Sequence, residues 1–300
     1  MNKLGLHANV WVAGWSEAEA DRAISMTAKT GFELLEIPAF ETELLRPEAT
    51  RRAIEAAGIS CTLSLGLPPE ADIASRDPDR VKAGEAQLMR TIESAGAVGA
   101  THISGILYGA FTKHSEPPLP DGIRESAEIV ARAAEEAAKH GVTLCMEVVN
   151  RYETNILNTA AQARAYCDMV GRENVGVHLD VYHMHIEEND PLTAITDTAE
   201  QLVYFHTGDS HRGYMGSGSV DLAGTFRALV RAGYEGPITY ESFSSEVVGQ
   251  PLTGILGIWR NTWEDGEDLA RHAHAYTTSQ LKAAREAMRR ESALPGAAGR

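Results

Sequence analysis

The sequence predicts a single-domain α/β protein of the (β/α)8, or TIM barrel, class. Three observations carry this. Short apolar or β-branched runs alternate with longer amphipathic segments eight times, and 300 residues is an ordinary length for that fold. No Gly-rich dinucleotide fingerprint follows the first run, which weighs against the competing doubly wound open sheet.

Residues 4–10 read as the first strand. Ser16-Glu17-Ala18-Glu19 has capping-box spacing and opens a helix to about Lys29, stopped by Gly31. The second strand spans 34–37, followed by a helix over 47–57 that starts at Pro47 and closes at Gly58, the usual places for those residues. The third strand, 59–65, ends at Gly66, and its helix runs from Pro78 to about Ala97. The fourth, 101–107, leads through a Pro- and Gly-rich loop to a helix from about Arg124 to His140. The fifth strand, 142–147, precedes a helix over 159–170; the sixth, 175–180, a helical stretch around 191–199; the seventh, 202–206, a helix over 221–232. The eighth is 238–241, and the remainder is helix-rich. The barrel is expected over 1–291, with a loose tail at 292–300.

A hydrophobic fraction of 43% and a charged fraction of 23% suit a soluble globular chain. A net charge of −15 is poor for gripping phosphate backbones or anionic lipid, so neither nucleic acid nor a membrane is an expected partner. Cys61, Cys145 and Cys167 are scattered within apolar runs, as buried thiols of a reducing compartment would be. No leader or membrane span is legible, and the expected location is cytoplasmic.

Leu144-Cys145-Met146 runs directly into Glu147, and a carboxylate at the tip of a buried strand is costly unless a cation or hydrogen bonds answer it. The working face of such a barrel lies at the C-terminal ends of its strands. Those ends carry Glu147, Asp180, His206 and Glu241 on strands five to eight. Any one alone reads as a solvated strand end; four in succession form a signal. Three carboxylates and one imidazole suit Mn2+, Mg2+ or Co2+ better than a thiolate-loving ion.

Nearby, His183 is placed to turn back over the mouth, while His178, on the same strand face as Asp180 but lower, is expected to make a structural hydrogen bond. His185 reads as a surface residue. Arg212 reads equally as a holder of a substrate oxygen or as a plain loop arginine. Gly213, Gly216 and Gly218 read as a tight turn rather than a phosphate cradle, because no Lys follows them.

A divalent ion chelating a ketone oxygen and its neighbouring hydroxyl acidifies the shared C–H and stabilises the enediolate. Strands five and eight are not neighbours, so Glu147 and Glu241 approach a substrate from different sides. Proton removal from one face and return to the other inverts a stereocentre, which points to epimerisation. An aldose–ketose isomerase or sugar dehydratase is the alternative on the same metal barrel. An apurinic-site endonuclease would call for a multinuclear zinc cluster and a basic surface, and a sugar-binding protein would need no acid–base pair.

At these residues the sequence resembles the D-tagatose/D-allulose/L-ribulose 3-epimerase family of xylose-isomerase-like barrels, over about Leu4 to Ala284. The stretches that carry the likeness are Glu147-Val-Val-Asn-Arg-Tyr-Glu153, His178-Leu-Asp-Val-Tyr-His-Met184 with Ile186-Glu-Glu188, His206-Thr-Gly208 with His211-Arg212, Tyr240-Glu-Ser-Phe243 and Gly257-Ile-Trp-Arg260. The resemblance implies C3 epimerisation of free, unphosphorylated ketoses by a homodimer or homotetramer. It implies one Mn2+ or similar ion on Glu147, Asp180, His206 and Glu241, with Glu147 and Glu241 as the acid–base pair. It assigns Glu153, His183 and Arg212 to the O1/O2 end of the sugar, with Gly66 lining the same pocket. The chain departs from many relatives at Phe111, where they carry Trp, at His7 in place of Tyr, and at Ser242 in place of Pro. All three are expected near the far end of the sugar, where they bear on substrate preference.

Overall fold

A computed structural model describes residues 2–293. Eight parallel strands close into a barrel in sequence order. They are β1 (Leu4–His7), β2 (Leu34–Pro38), β3 (Ser60–Leu67), β4 (His102–Ala110), β5 (Thr143–Glu147), β6 (Val175–Asp180), β7 (Leu202–Thr207) and β8 (Ile238–Tyr240). The helices α1 (Glu17–Lys29), α2 (Pro47–Ala57), α3 (Pro78–Val98), α4 (Pro120–Lys139) and α5 (Ala160–Val170) follow the first five strands. After β6 come α6 (Val181–Glu187) and α7 (Pro191–Asp197), and after β7 comes α8 (Leu222–Arg231). Beyond β8 lie α9 (Ser245–Val248), α10 (Leu252–Leu256) and the long α11 (Gly266–Ser292). Helix α11 includes the first residue of the expected tail; residues 294–300 of that tail lie outside the described residues.

The capping box at Ser16 and Glu19 forms as its spacing predicts, and Thr159 with Gln162 makes a second one at α5. The first strand is shorter than expected because His7 Nδ1 accepts the Asn9 N–H and turns Ala8–Val10 into a 3-10 helix. Helix α6 is the element the hydrophobic pattern does not announce. It starts because the Asp180 carboxylate, at the end of β6, accepts the Tyr182 N–H at 2.6 Å and caps a new helix.

Alternation along each strand separates two cores. Outward residues such as Leu35, Ile37, Val177, Leu179 and Phe205 pack with the helices in one continuous cluster. Inside the barrel, Leu34, Cys145 and Tyr204 form a separate apolar plug. Two residues further along the same strand faces stand Glu36, Glu147 and His206. The plug closes the barrel below, and the polar layer opens toward the C-terminal mouth.

Candidate active site

Strand ends bring the four expected side chains together. The β6–β7 ladder sets Asp180 beside His206, and Glu241 follows β8 with its N–H donated to Thr207 O at 3.0 Å. His206 Nδ1 lies 3.6 Å from Glu147 Oε1, 3.6 Å from Asp180 Oδ2 and 3.7 Å from Glu241 Oε1. On its other edge, His206 Nε2 lies 2.8 Å from Glu36 Oε2. An ionised carboxylate only accepts hydrogen bonds, so the ring proton sits on Nε2 and Nδ1 presents its lone pair to the three oxygens. Nδ1 has no hydrogen-bond partner although it is fully buried. Four electron-rich atoms converging on one point are answered by a cation, either a metal ion or a proton on Nδ1.

The charges respond accordingly. Burial pushes the Glu147 carboxyl up to about 6, although His206 beside it pulls the other way. Burial would also raise Asp180, but Arg212 and His183 hold it well below the ordinary carboxylate range. Burial opposes a charge on His206, yet Glu36 and Glu241 carry it well above the usual imidazole value in the metal-free protein. The donor set of three carboxylates and one imidazole fits a hard or borderline divalent ion.

Helix α6 turns His183 over this cluster. The Asn150 N–H donates to His183 Nδ1 at 3.1 Å, and on the other edge Nε2 lies 3.1 Å from Arg212 Nη2. That Nε2 stands 3.9 Å from Glu153 Oε2 and Asp180 Oδ2 and 4.0 Å from Glu147 Oε1. Arg212 donates to Glu241 and lies over the rings of Tyr182 and Phe243, 4.2 and 5.0 Å from their centroids. Its φ of 56° is left-handed, unusual for a residue with a side chain. Asp209, fully buried, holds the loop in that form by accepting N–H groups from Ser210, Gly216 and Gly218 at 2.7, 2.8 and 3.0 Å. The loop's own carboxylate thus fills the glycine turn, and the tight-turn reading of those glycines holds.

Two neighbouring histidines divide. His185 is exposed, with Nε2 3.2 Å from Ser219 Oγ, as expected. His178 differs from expectation: it makes no structural hydrogen bond, and both ring nitrogens are buried without a partner. It packs edge-on against His206 and Tyr204 instead, with ring centroids 4.1 and 5.0 Å apart.

A pocket opens above the cluster, lined by Glu147, Glu153, His183, Arg212 and Glu241 on one side and by His7, Ser64, Gly66 and Phe111 on the other. The family model for xylose isomerase-like TIM barrels matches residues 24–280. A ketose 3-epimerase of Arthrobacter globiformis is 45% identical over 94% of this chain and 97% of its own length. The chain belongs to the ketose 3-epimerase family. An L-ribulose 3-epimerase structure superposes with a TM-score of 0.95 at 38% identity, covering 98% of this chain and 99% of that one. A Methylomonas D-allulose 3-epimerase in complex with D-allulose superposes with a TM-score of 0.91 at 38% identity, covering 93% and 97%.

In this ketose 3-epimerase family member, His7 and Phe111 both reach the pocket wall, but Ser242 does not. Ser242 is fully buried; its hydroxyl donates to Arg212 O and accepts the Trp263 Nε1–H at 2.8 Å. The serine therefore ties the Arg212 loop to the chain leading into α11. Gly66 is required by close approach, since a Cβ there would stand 2.7 Å from the Phe111 ring. Gly66→Ala is expected to push that ring into the pocket and raise KM for a ketose by about 3- to 10-fold, with metal affinity unchanged. Steady-state kinetics alongside a metal titration check this; an unchanged KM would remove Phe111 from the wall.

Proposed function

We propose that the chain epimerises free ketoses at C3, of the D-fructose/D-allulose or L-ribulose/L-xylulose type, using Mn2+, with Co2+ or Mg2+ as substitutes. The observation that carries this is the bare His206 Nδ1 facing three carboxylate oxygens, with its far edge engaged by Glu36. Glu147, Asp180, His206 and Glu241 would hold the ion. When bound, the ion supplies Lewis-acid polarisation of the substrate carbonyl. Glu147 and Glu241 stand on β5 and just past β8, separated by two strands, and each meets one face of the sugar. One takes the C3 proton, leaving an enediolate; the other delivers a proton to the opposite face. His183 Nε2 and the Arg212 guanidinium are hydrogen-bonding groups suited to the sugar's O1 and O2, and Glu153 an acceptor for its hydroxyls. Phe111 and His7 face its far end.

Incubation with D-fructose and Mn2+ tests the reading: D-allulose should form without an aldose. An aldose as the main product would overturn the two-face assignment in favour of an isomerase.

Proton and ion compete for the same place, so pH bears on metal binding. Glu147 is raised to about 6 and His206 is raised further above its usual value in the metal-free protein. Both shifts stabilise the protonated, metal-free form at low pH, and that advantage is lost as pH rises through the raised values. Lowering pH from about 8 to about 5 should therefore weaken Mn2+ binding by roughly tenfold per unit for each proton displaced. Chelator competition at several pH values measures this, and activity should fall with bound metal. Acid loss of activity with the ion retained contradicts it.

We also propose a cytoplasmic homodimer or homotetramer. No helix among the described residues is long and apolar enough to cross a membrane. Trp259 is 75% and Ile255 53% exposed, apolar surface that a subunit contact would cover. Light scattering reads the assembly directly.

A further inference from the structure

A carboxylate with no exposed surface stands in the middle of the barrel. Glu36 is 0% exposed, on β2, away from the strand ends that hold the four converging groups. Removing a charge from water costs several kcal/mol unless its surroundings answer it. Here they do, in an ordered way. Ser104 on β4 donates to Oε1 at 2.8 Å, and Tyr204 on β7 donates to Oε2 at 2.8 Å. The Tyr204 hydroxyl, its own proton committed to Glu36, receives the hydroxyls of Thr62 on β3 and Thr239 on β8 at 2.9 and 2.8 Å. Two strands thus aim hydroxyls at the carboxylate, and two more hold the Tyr204 hydroxyl in place. The carboxylate also touches His206, through Nε2 at 2.8 Å.

We infer that Glu36 is a positioning residue for the bound ion: it fixes the tautomer and ring plane of His206 so that Nδ1 presents its lone pair to the metal. The inference rests on the metal reading above and adds a residue outside the ligand set. A histidine held on one edge by a carboxylate is a stronger and better-aimed ligand on the other. The hydroxyl shell explains why the carboxylate itself does not swing. Neutralising it while keeping its size lets an amide NH2 face Nε2, which would place the ring proton on Nδ1, where the ion must bind.

The test is Mn2+ titration of metal-free wild type and Glu36→Gln by calorimetry, with the Tm of each measured with and without metal. Expected is a 10- to 100-fold weaker Kd for the variant, in the range for lost outer partners of a ligand, and a smaller metal-induced rise in Tm. Substituted Co2+ should also show a changed visible absorption, since the imidazole's place among the ligands is disturbed. A variant with a lower metal-free Tm but wild-type Kd and Co2+ spectrum overturns the inference and leaves Glu36 a core hydrogen-bonding group. Wild type that takes up no Mn2+ overturns the metal reading itself. Should Glu36→Gln fail to fold, Tyr204→Phe decides: it keeps the carboxylate and removes one of its supports. A Kd weakened about threefold or more is expected, and an unchanged one overturns the inference.

Discussion

Glu147→Gln and Glu241→Gln should each lower kcat for ketose epimerisation by about a thousandfold or more, the range expected for removing a general acid or base. The amide preserves the size and one oxygen of each side chain but cannot accept the C3 proton. Because both glutamates lie within 4 Å of His206 Nδ1, metal content must be measured in the same samples. Loss of kcat with the ion retained assigns the defect to proton transfer. Deuterium oxide sharpens the assignment. If the two carboxylates serve opposite faces, each single variant should still exchange the C3 hydrogen of one epimer and not of the other. Exchange of both epimers by either variant would mean a single base reaches both faces, and a variant with full activity would take that glutamate out of the mechanism.

Stripping the metal should abolish turnover, with activity down about 100-fold or more, and restore it on adding Mn2+ or Co2+. It should also lower thermal stability. Glu36, Glu147, Asp180 and Glu241 crowd one buried region, and Arg212 with His206 supplies the opposing charge there. An ion held only by the folded protein stabilises it by about 4 kcal/mol when its free concentration is a thousand times Kd. That corresponds to several degrees in Tm for a chain of this size. Scanning fluorimetry with chelator and with Mn2+ reads it. Full activity at vanishing metal content would end the proposal of metal-assisted chemistry.

The barrel was legible because most strands are apolar runs closed by glycine or a charged group, and most of the helices between them carry cap or N-terminal proline signals. The converging groups were legible for a related reason: Glu147, Asp180, His206 and Glu241 each end an apolar run, so a one-dimensional pattern marks them. Glu36 does not end its run. It interrupts Leu34-Leu35-Glu36-Ile37, and its principal partner His206 is 170 residues away. The trace available was an acid flanked on both sides by buried residues with no nearby cation. Helix α6 is not legible in the pattern because Asp180 is both a facing carboxylate and a cap for the Tyr182 N–H. Ser242, expected near the sugar as a departure from the Pro of several relatives, follows the pocket-lining Glu241, but successive residues point opposite ways and its hydroxyl goes to the Arg212 carbonyl. His178, lower on the strand face of Asp180, is expected to make a hydrogen bond, whereas its ring packs edge-on against Tyr204 and His206.

The order of the strands around the barrel carries a consequence for how such a protein can change. The side chains facing His206 Nδ1 all come from β5, β6 and the end of β8, one contiguous half of the ring, whereas His7, Ser64, Gly66 and Phe111 rise from β1, β3 and the end of β4. Chemistry and fit are therefore written on separate arcs. Sugar selectivity can drift, or be redesigned, by substitution in the β1–β4 arc while the side chains around His206 Nδ1 are kept. Glu36 on β2 crosses that division: its carboxylate lies on the β1–β4 arc and is anchored to His206 and Tyr204 on β7.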